Sequence, residues 1–334
     1  MKIEFGVIDH IDRQDRAIAD TYDSRLKLIE MYDRAGFSTF HPTEHHSTPL
    51  GLAPSPNVFL AAASRVTQRI HFAPLVLIAT LYNPLRLASE ICMLDHLTRG
   101  RFEIGTGRGV SPVELGFFNV KEQDAPGIYA EAMEVMMAAL TQDVVDYHGK
   151  YFDFTNVPIE LKPYQLPHPP LWYATNSPES AAKAARKNMN IVTLLKSSEA
   201  CAVIAAHKEA WTAAHGGSGK KQPRAGITRF IYVGENDQHA QERATQGAQD
   251  FFESLAYLWR KFTPGSMNVE MLKRSGATAI AGTPATVRAK IEQEFEASGA
   301  GYFALRFAYG NLTHEESVRS LERFTNDVMP HFQK

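Results

Sequence analysis

The sequence predicts one α/β domain over residues 1–334, folded as a (β/α)8 TIM barrel with loop insertions at the C-terminal face. Three observations point there. Short apolar runs alternate with longer amphipathic segments through eight βα units, which implies a parallel sheet. Eight is the number at which such a sheet closes, and no shift of composition divides the chain. An open doubly wound sheet of eight strands is the rival, and the unbroken composition favours the barrel. A barrel needs about 250 residues, so room remains for insertions.

The units follow in order. Ile3 to Ile8 reads as the first strand, and Tyr22 to Ala35 as a helix stopped by Gly36. Strands at Ser38–Thr43, Ile70–Ile78 and Arg101–Gly105 alternate with helices at Pro56–Val66, Pro84–Leu97 and Gly127–Leu140. Asp143 to Pro169 carries Pro158, Pro163, Pro167 and Pro169, and reads as a loop excursion with a short hairpin. Strands at Pro170–Thr175, Asn190–Leu195 and Ile227–Val233 then alternate with a helix at Pro178–Lys187, one ending near Ala214, and one at Asp237–Arg260. Lys261–Ala281 reads as an insertion able to act as a lid. A helix at Pro284–Ser298, a strand at Tyr302–Phe307 and a helix running into Met329 complete the pattern.

Hydrophobic residues make up 44% and charged residues 22%, enough apolar material for a sizeable core. The formal net charge of −2, without blocks of like charge, argues against nucleic acid or an anionic membrane as partner. Cys92 and Cys201 form no CxxC and no disulfide framework, which fits a reducing compartment. Met1 to Gly6 enters a strand directly, without a signal-peptide pattern, and no window approaches the length of a membrane span; the expected location is the cytoplasm.

In a parallel barrel, chemistry gathers at the C-terminal strand ends. Thr43-Glu44-His45-His46 is the first such end. Strand alternation sends His45 and His46 to opposite faces, so one enters the pocket and the other packs or meets solvent. That split, with neither HxH nor HExxH present, weakens a metal reading of Glu44, His45 and His46. The second end, Gly105-Thr106-Gly107-Arg108-Gly109, combines a turn that lets the backbone approach a ring or phosphate with a forked cation. It lacks the last glycine of a dinucleotide fingerprint and has no helix directly behind it. At the third, Asn176-Ser177-Pro178-Glu179-Ser180, Ser177 reads as an N-cap with Pro178 at the first helical position. The free N–H groups there suit a phosphate, although capping alone would also explain these residues. Phe5, Val7, Phe40, Leu75 and Tyr173 either line the pocket or fill the barrel core. Together the three ends suit a phosphorylated planar cofactor beside an imidazole.

At these residues the chain resembles the bacterial luciferase-like flavin monooxygenases. The likeness runs along nearly the whole length and is densest at Ala35-Gly36-Phe37, Glu44-His45-His46, Asn83-Pro84-Leu85-Arg86, Leu94-Asp95, Gly100-Arg101-Phe102, Gly105 to Gly109, Gly282-Thr283-Pro284 and Asp327-Val328-Met329-Pro330. The resemblance implies reduced FMN, supplied by a separate NAD(P)H:flavin reductase, which activates O2 as a C4a-hydroperoxide to oxygenate a small organic substrate. It implies His45 as the catalytic histidine and Arg108 as a phosphate ligand, joined by Asn176, Ser177 and Ser180 at the helix terminus. Leu75 and Val76 correspond to a non-proline cis peptide behind the flavin ring, and Gly107 stands where the luciferases proper carry a cysteine. The family's second phosphate arginine is missing near Gly127-Ile128-Tyr129, with Lys196 as a candidate substitute. A homodimer through the helices at Pro56–Val66 and Pro84–Leu97 is also implied. The alternatives are a deazaflavin (F420) oxidoreductase on the same barrel, a non-catalytic flavin-binding relative and, last, a metal-dependent barrel hydrolase.

Overall fold

Strand and helix signals become strands and helices in the expected order in the computed structural model, which describes residues 2–264 and 279–333. The strands are β1 (Glu4–Asp9), β2 (Thr39–Pro42), β3 (His71–Phe72), β4 (Leu77–Ile78), β5 (Ile104–Gly107), β6 (Val144–His148), β7 (Asp153–Pro158), β8 (Leu171–Ala174), β9 (Asn190–Thr193), β10 (Ala225–Val233), β11 (Ile280–Gly282) and β12 (Tyr302–Arg306). The helices are α1 (Ile18–Ala35), α2 (Pro56–Ala63), α3 (Pro84–Thr98), α4 (Pro112–Phe117), α5 (Ala125–Thr141), α6 (Pro178–Arg186), α7 (Ser197–His215), α8 (Asp237–Leu255), α9 (Tyr257–Phe262), α10 (Pro284–Ser298), α11 (His314–Arg323) and α12 (Met329–Phe332).

The fold is α/β on one parallel sheet, in the order β3-β2-β1-β12-β10-β9-β8-β5-β4, with β11 added against the end of β10. The single strand expected over 70–78 is two short pieces. Pro74 lies between them and has no N–H to give to a ladder. The β3 piece pairs with β2 and bridges through Phe72 to Phe102, while β4 pairs with β5. One stretch of chain therefore pairs with both ends of the strand order. The excursion over 143–169 contains the antiparallel hairpin β6–β7. Of the lid expected over 261–281, residues 265–278 lie outside the described residues.

Two-residue alternation divides the strands between two apolar layers. Phe5, Val7, Phe40, Phe303, Leu305 and Phe307 belong to the large core that includes the buried helix faces. Ile8, Leu75, Trp172, Val192, Tyr302 and Ala304 form a separate cluster on the opposite phase. The Tyr302 ring lies so close to Gly6 that a Cβ there would fall 1.8 Å from its hydroxyl. Helix starts follow the sequence: Asn83, Ser177, Thr283 and Thr313 each accept an N-terminal N–H, and proline occupies the first turn after the first three. No helix among the described residues is long and apolar enough to cross a membrane.

Candidate active site

The C-terminal ends of the sheet strands surround a cavity of about 940 Å³. His45, Leu75, Val76, Gly107, Arg108 and Asn176 all line it, so residues from four separate stretches meet there. Ser177 and Ser180 are not among its lining residues. The Ser177 hydroxyl accepts the Ser180 N–H at 3.3 Å, which is ordinary capping. Lys196 is exposed and also absent from the lining. Of the candidate apolar liners, Leu75 and Tyr173 take part. Phe5, Val7 and Phe40 do not, because their strand phase turns them into the large core.

The two histidines separate as alternation requires. His46 turns away from the cavity: its Nε2 meets Glu44 Oε1 at 2.9 Å, and its ring lies edge-on to Phe118. Glu44 is buried and saturated, because its other oxygen accepts the Ile78 N–H at 2.8 Å and the Tyr82 hydroxyl at 3.0 Å. This clamps the turn after β2 to β4. His45 faces the cavity, with Nδ1 3.3 Å from Glu114 Oε1; the same oxygen accepts the His46 N–H at 2.7 Å. A carboxylate at Nδ1 favours the tautomer with its proton there, leaving Nε2 as the basic nitrogen.

Glu114 was missed by the sequence reading because α4 was missed. Ser111-Pro112-Val113-Glu114 carries the signal: an N-cap serine, a first-turn proline and an acid three residues on. His10 and Arg306 were missed too. His10 follows β1 and stacks on His45, with centroids 5.5 Å apart and planes 16° from parallel. Burial first, then Arg306 and His45, hold the His10 pKa well below the ordinary imidazole range, so its ring is neutral. Asn176, by contrast, ties the ends of two strands together, since its Oδ1 accepts from the Thr193 hydroxyl at 2.8 Å and the Leu194 N–H at 3.2 Å.

The glycines of the β5 turn admit a close approach. A Cβ on Gly105 would sit 1.8 Å from the Pro74 carbonyl oxygen, and one on Gly107 would sit 2.5 Å from Val76 Cγ2. The Leu75–Val76 peptide they face is cis. Gly105→Ala is therefore expected to lose about 3 kcal/mol, because the obstacle is backbone and cannot rotate aside. Gly116→Ala, whose Cβ meets nothing within 4 Å, is the control. Denaturant midpoints compare the two, and equal midpoints would refute the close packing. Arg108, at the end of the same turn, is exposed, and its guanidinium has no partner among the described residues. The described residues contain no cluster of three His, Cys, Asp or Glu able to hold a metal.

A family model described as luciferase-like monooxygenase matches residues 2–301. A relative from Sinorhizobium fredii, protein y4wF, is 36% identical over 335 residues, covering 98% of this chain and 97% of that one. The oxygenase component of the flavin-dependent trigonelline monooxygenase of Acinetobacter baylyi is 24% identical, covering 99% and 96%. Among solved structures, the monooxygenase RslO1 of Streptomyces bottropensis superposes with a TM-score of 0.86 at 25% identity, covering 99% of this chain and all of that one.

Proposed function

The chain belongs to the luciferase-like monooxygenase family, and from that membership we propose that it is the oxygenase of a two-component system, using reduced FMN and O2 to oxygenate a small organic substrate. The observation that carries the reading is the convergence of His45, backed by Glu114, and Arg108, whose guanidinium has no partner among the described residues, on one cavity. The residues present fit the cofactor. Gly105 and Gly107 keep the backbone close to the Leu75–Val76 peptide, where a β-carbon would intrude, and Arg108 offers a forked cation for a phosphate. Asn176 stands beside the capped start of α6, and Ser177 and Ser180 supply that helix terminus.

When bound, reduced FMN supplies the electrons that activate O2. The chain's own residues do the rest. Leu75, Val76, Ile78 and Tyr173 give a ring an apolar seat and keep water from it. His45 Nε2 accepts or returns a proton at the reacting centre, while Glu114 holds the ring in register. The pairings of β2 with β3, Phe72 with Phe102 and β4 with β5 support a sheet closed as a (β/α)8 barrel in one domain. Exposed Val58 on α2 and Met93 and Leu97 on α3 support a homodimer through those helices. The free thiols of Cys92 and Cys201 suit a reducing compartment, and the cytoplasm is our assignment.

Anaerobic titration with reduced FMN tests the reading, with the deazaflavin F420 as a second arm. Wild type should bind FMN in preference, and Arg108→Ala should weaken that binding about tenfold or more, as loss of a charge-assisted contact to phosphate does. Admitting air, with a flavin reductase and NADH present, should then give oxidised product from a compound panel. Preference for F420, or an Arg108→Ala variant with wild-type FMN affinity, would overturn the assignment.

A further inference from the structure

Arg306 is a charged group in the cavity to which the proposed chemistry gives no task. It ends β12, is 3% exposed and lines the cavity. Its Cζ lies 4.5 Å from the Phe230 ring centroid and 4.8 Å from that of Phe251. Among the described residues no carboxylate comes within ion-pair distance, and its buried Nε has no hydrogen-bond partner. Among the described residues the one polar contact of its side chain is Nη2 to His10 Nδ1, at a long 3.5 Å. The nearby carboxylates of Asp9 and Asp12 are engaged by Arg25 instead. A guanidinium has five N–H donors, and burying it without acceptors is costly unless something that enters the cavity supplies them.

Burial lowers the Arg306 pKa to about 10, which still leaves the group charged at neutral pH. Neutral His10 beside it adds no competing positive charge. Its surroundings define the rest of a subsite, with Phe251, Phe252, Leu255 and Trp259 from α8 and α9 making an apolar wall. β10, β9 and β8 separate β12 from β5, so Arg306 and Arg108 stand at opposite ends of that run of strands. The cavity thus has two cationic poles, and a cofactor phosphate at Arg108 leaves the other free.

We propose that Arg306 binds a carboxylate on the substrate, so that the substrate class is a small organic acid whose apolar body lies against Phe251, Phe252, Leu255 and Trp259. The proposal rests on reading the cavity as a monooxygenase site and narrows its substrate. A planar carboxylate accepts two parallel N–H bonds from the guanidinium fork, which an amide or ester cannot match.

Direct binding to the full-length protein tests it. Calorimetric titrations compare benzoate, phenylacetate and cyclohexanecarboxylate with their carboxamides, on wild type, Arg306→Met and Arg306→Lys. Acids should bind wild type about tenfold or more better than the amides. Arg306→Met should abolish that preference, and Arg306→Lys, which keeps the charge but loses the fork, should retain part of it. Equal binding of acid and amide, no binding of any acid at millimolar concentration, or a preference that survives in Arg306→Met would each overturn the proposal. Should Arg306→Met not fold, a full preference in Arg306→Lys would overturn the fork geometry instead. Parallel FMN titrations separate the two readings. Acid preference without FMN binding sinks the monooxygenase assignment alone. FMN binding without acid preference sinks the carboxylate site alone. A fall in FMN affinity in Arg306→Met, with no acid preference in wild type, would assign Arg306 to the cofactor.

Discussion

Replacing His45 with alanine should lower coupled substrate oxidation by about 100-fold or more, the usual scale for a positioned proton-transfer group. The expectation follows from its setting. His45 is held by Glu114 at Nδ1 and by the stacked His10 ring, and its side chain is only 16% exposed. Nothing among the described residues occupies its Nε2. The measurement is product formed per NADH consumed, with reductase and FMN in excess, so that uncoupled oxygen use is counted separately. Coupling equal to wild type would remove His45 from the chemistry. Glu114→Gln should give a smaller loss, about tenfold. Its amide oxygen can still accept the His46 N–H, so the turn persists while the imidazole loses its negatively charged partner.

The second large effect is on stability. Arg25→Met should destabilise the protein by about 3–5 kcal/mol, the cost of stranding buried carboxylates without their cation. Arg25 is fully buried on α1, with Nε 3.0 Å from Asp9 and Nη2 3.3 Å from Asp12. Those two acids build the turn that carries His10. Asp9 accepts the Ile11 N–H at 2.7 Å, Ile11 is held at φ 52°, and Asp12 accepts the Gly310 N–H. A β-branched residue at positive φ is disfavoured by itself, so the surrounding bonds hold it there. Arg34→Met is the control, because its ion pair with Glu30 is exposed and contributes little.

The pH dependence has a definite sign. Burial, opposed by Arg25, raises the Asp12 pKa from 3.8 to about 7. The folded state therefore holds a proton that the unfolded chain has released between those values, and stability falls as pH rises through that window. Removing Arg25 pushes the folded-state pKa higher still. The deficit of Arg25→Met should thus be level from about pH 4 to about pH 6 and grow as pH rises through about 7 toward 8. Denaturant midpoints across that range measure it, and a deficit independent of pH would refute the linkage.

Much of the site could be read from local signals. His45 follows an apolar strand, Gly107 and Arg108 sit in a glycine turn at the end of another, and Ser177-Pro178 opens a helix with cap and proline in place. Each signal spans only a few residues, so sequence carries it whole. Even Glu114 had such a signal in its capping pattern. Arg306 had a weaker one: a charge in an apolar strand, on the same phase as Tyr302 and Ala304.

What sequence determined by itself was the order of the main strands and helices, most of the helix starts, and the separation of His45 from His46, because period and capping are short-range physics. Only the tertiary structure decided which phase of each strand faced the cavity. It sent Phe5, Val7 and Phe40 to the outer core, and brought Glu114 to His45 across 69 residues and Arg306 to His10 across 296. Register between strands sets that choice, and register is fixed by partners far away along the chain.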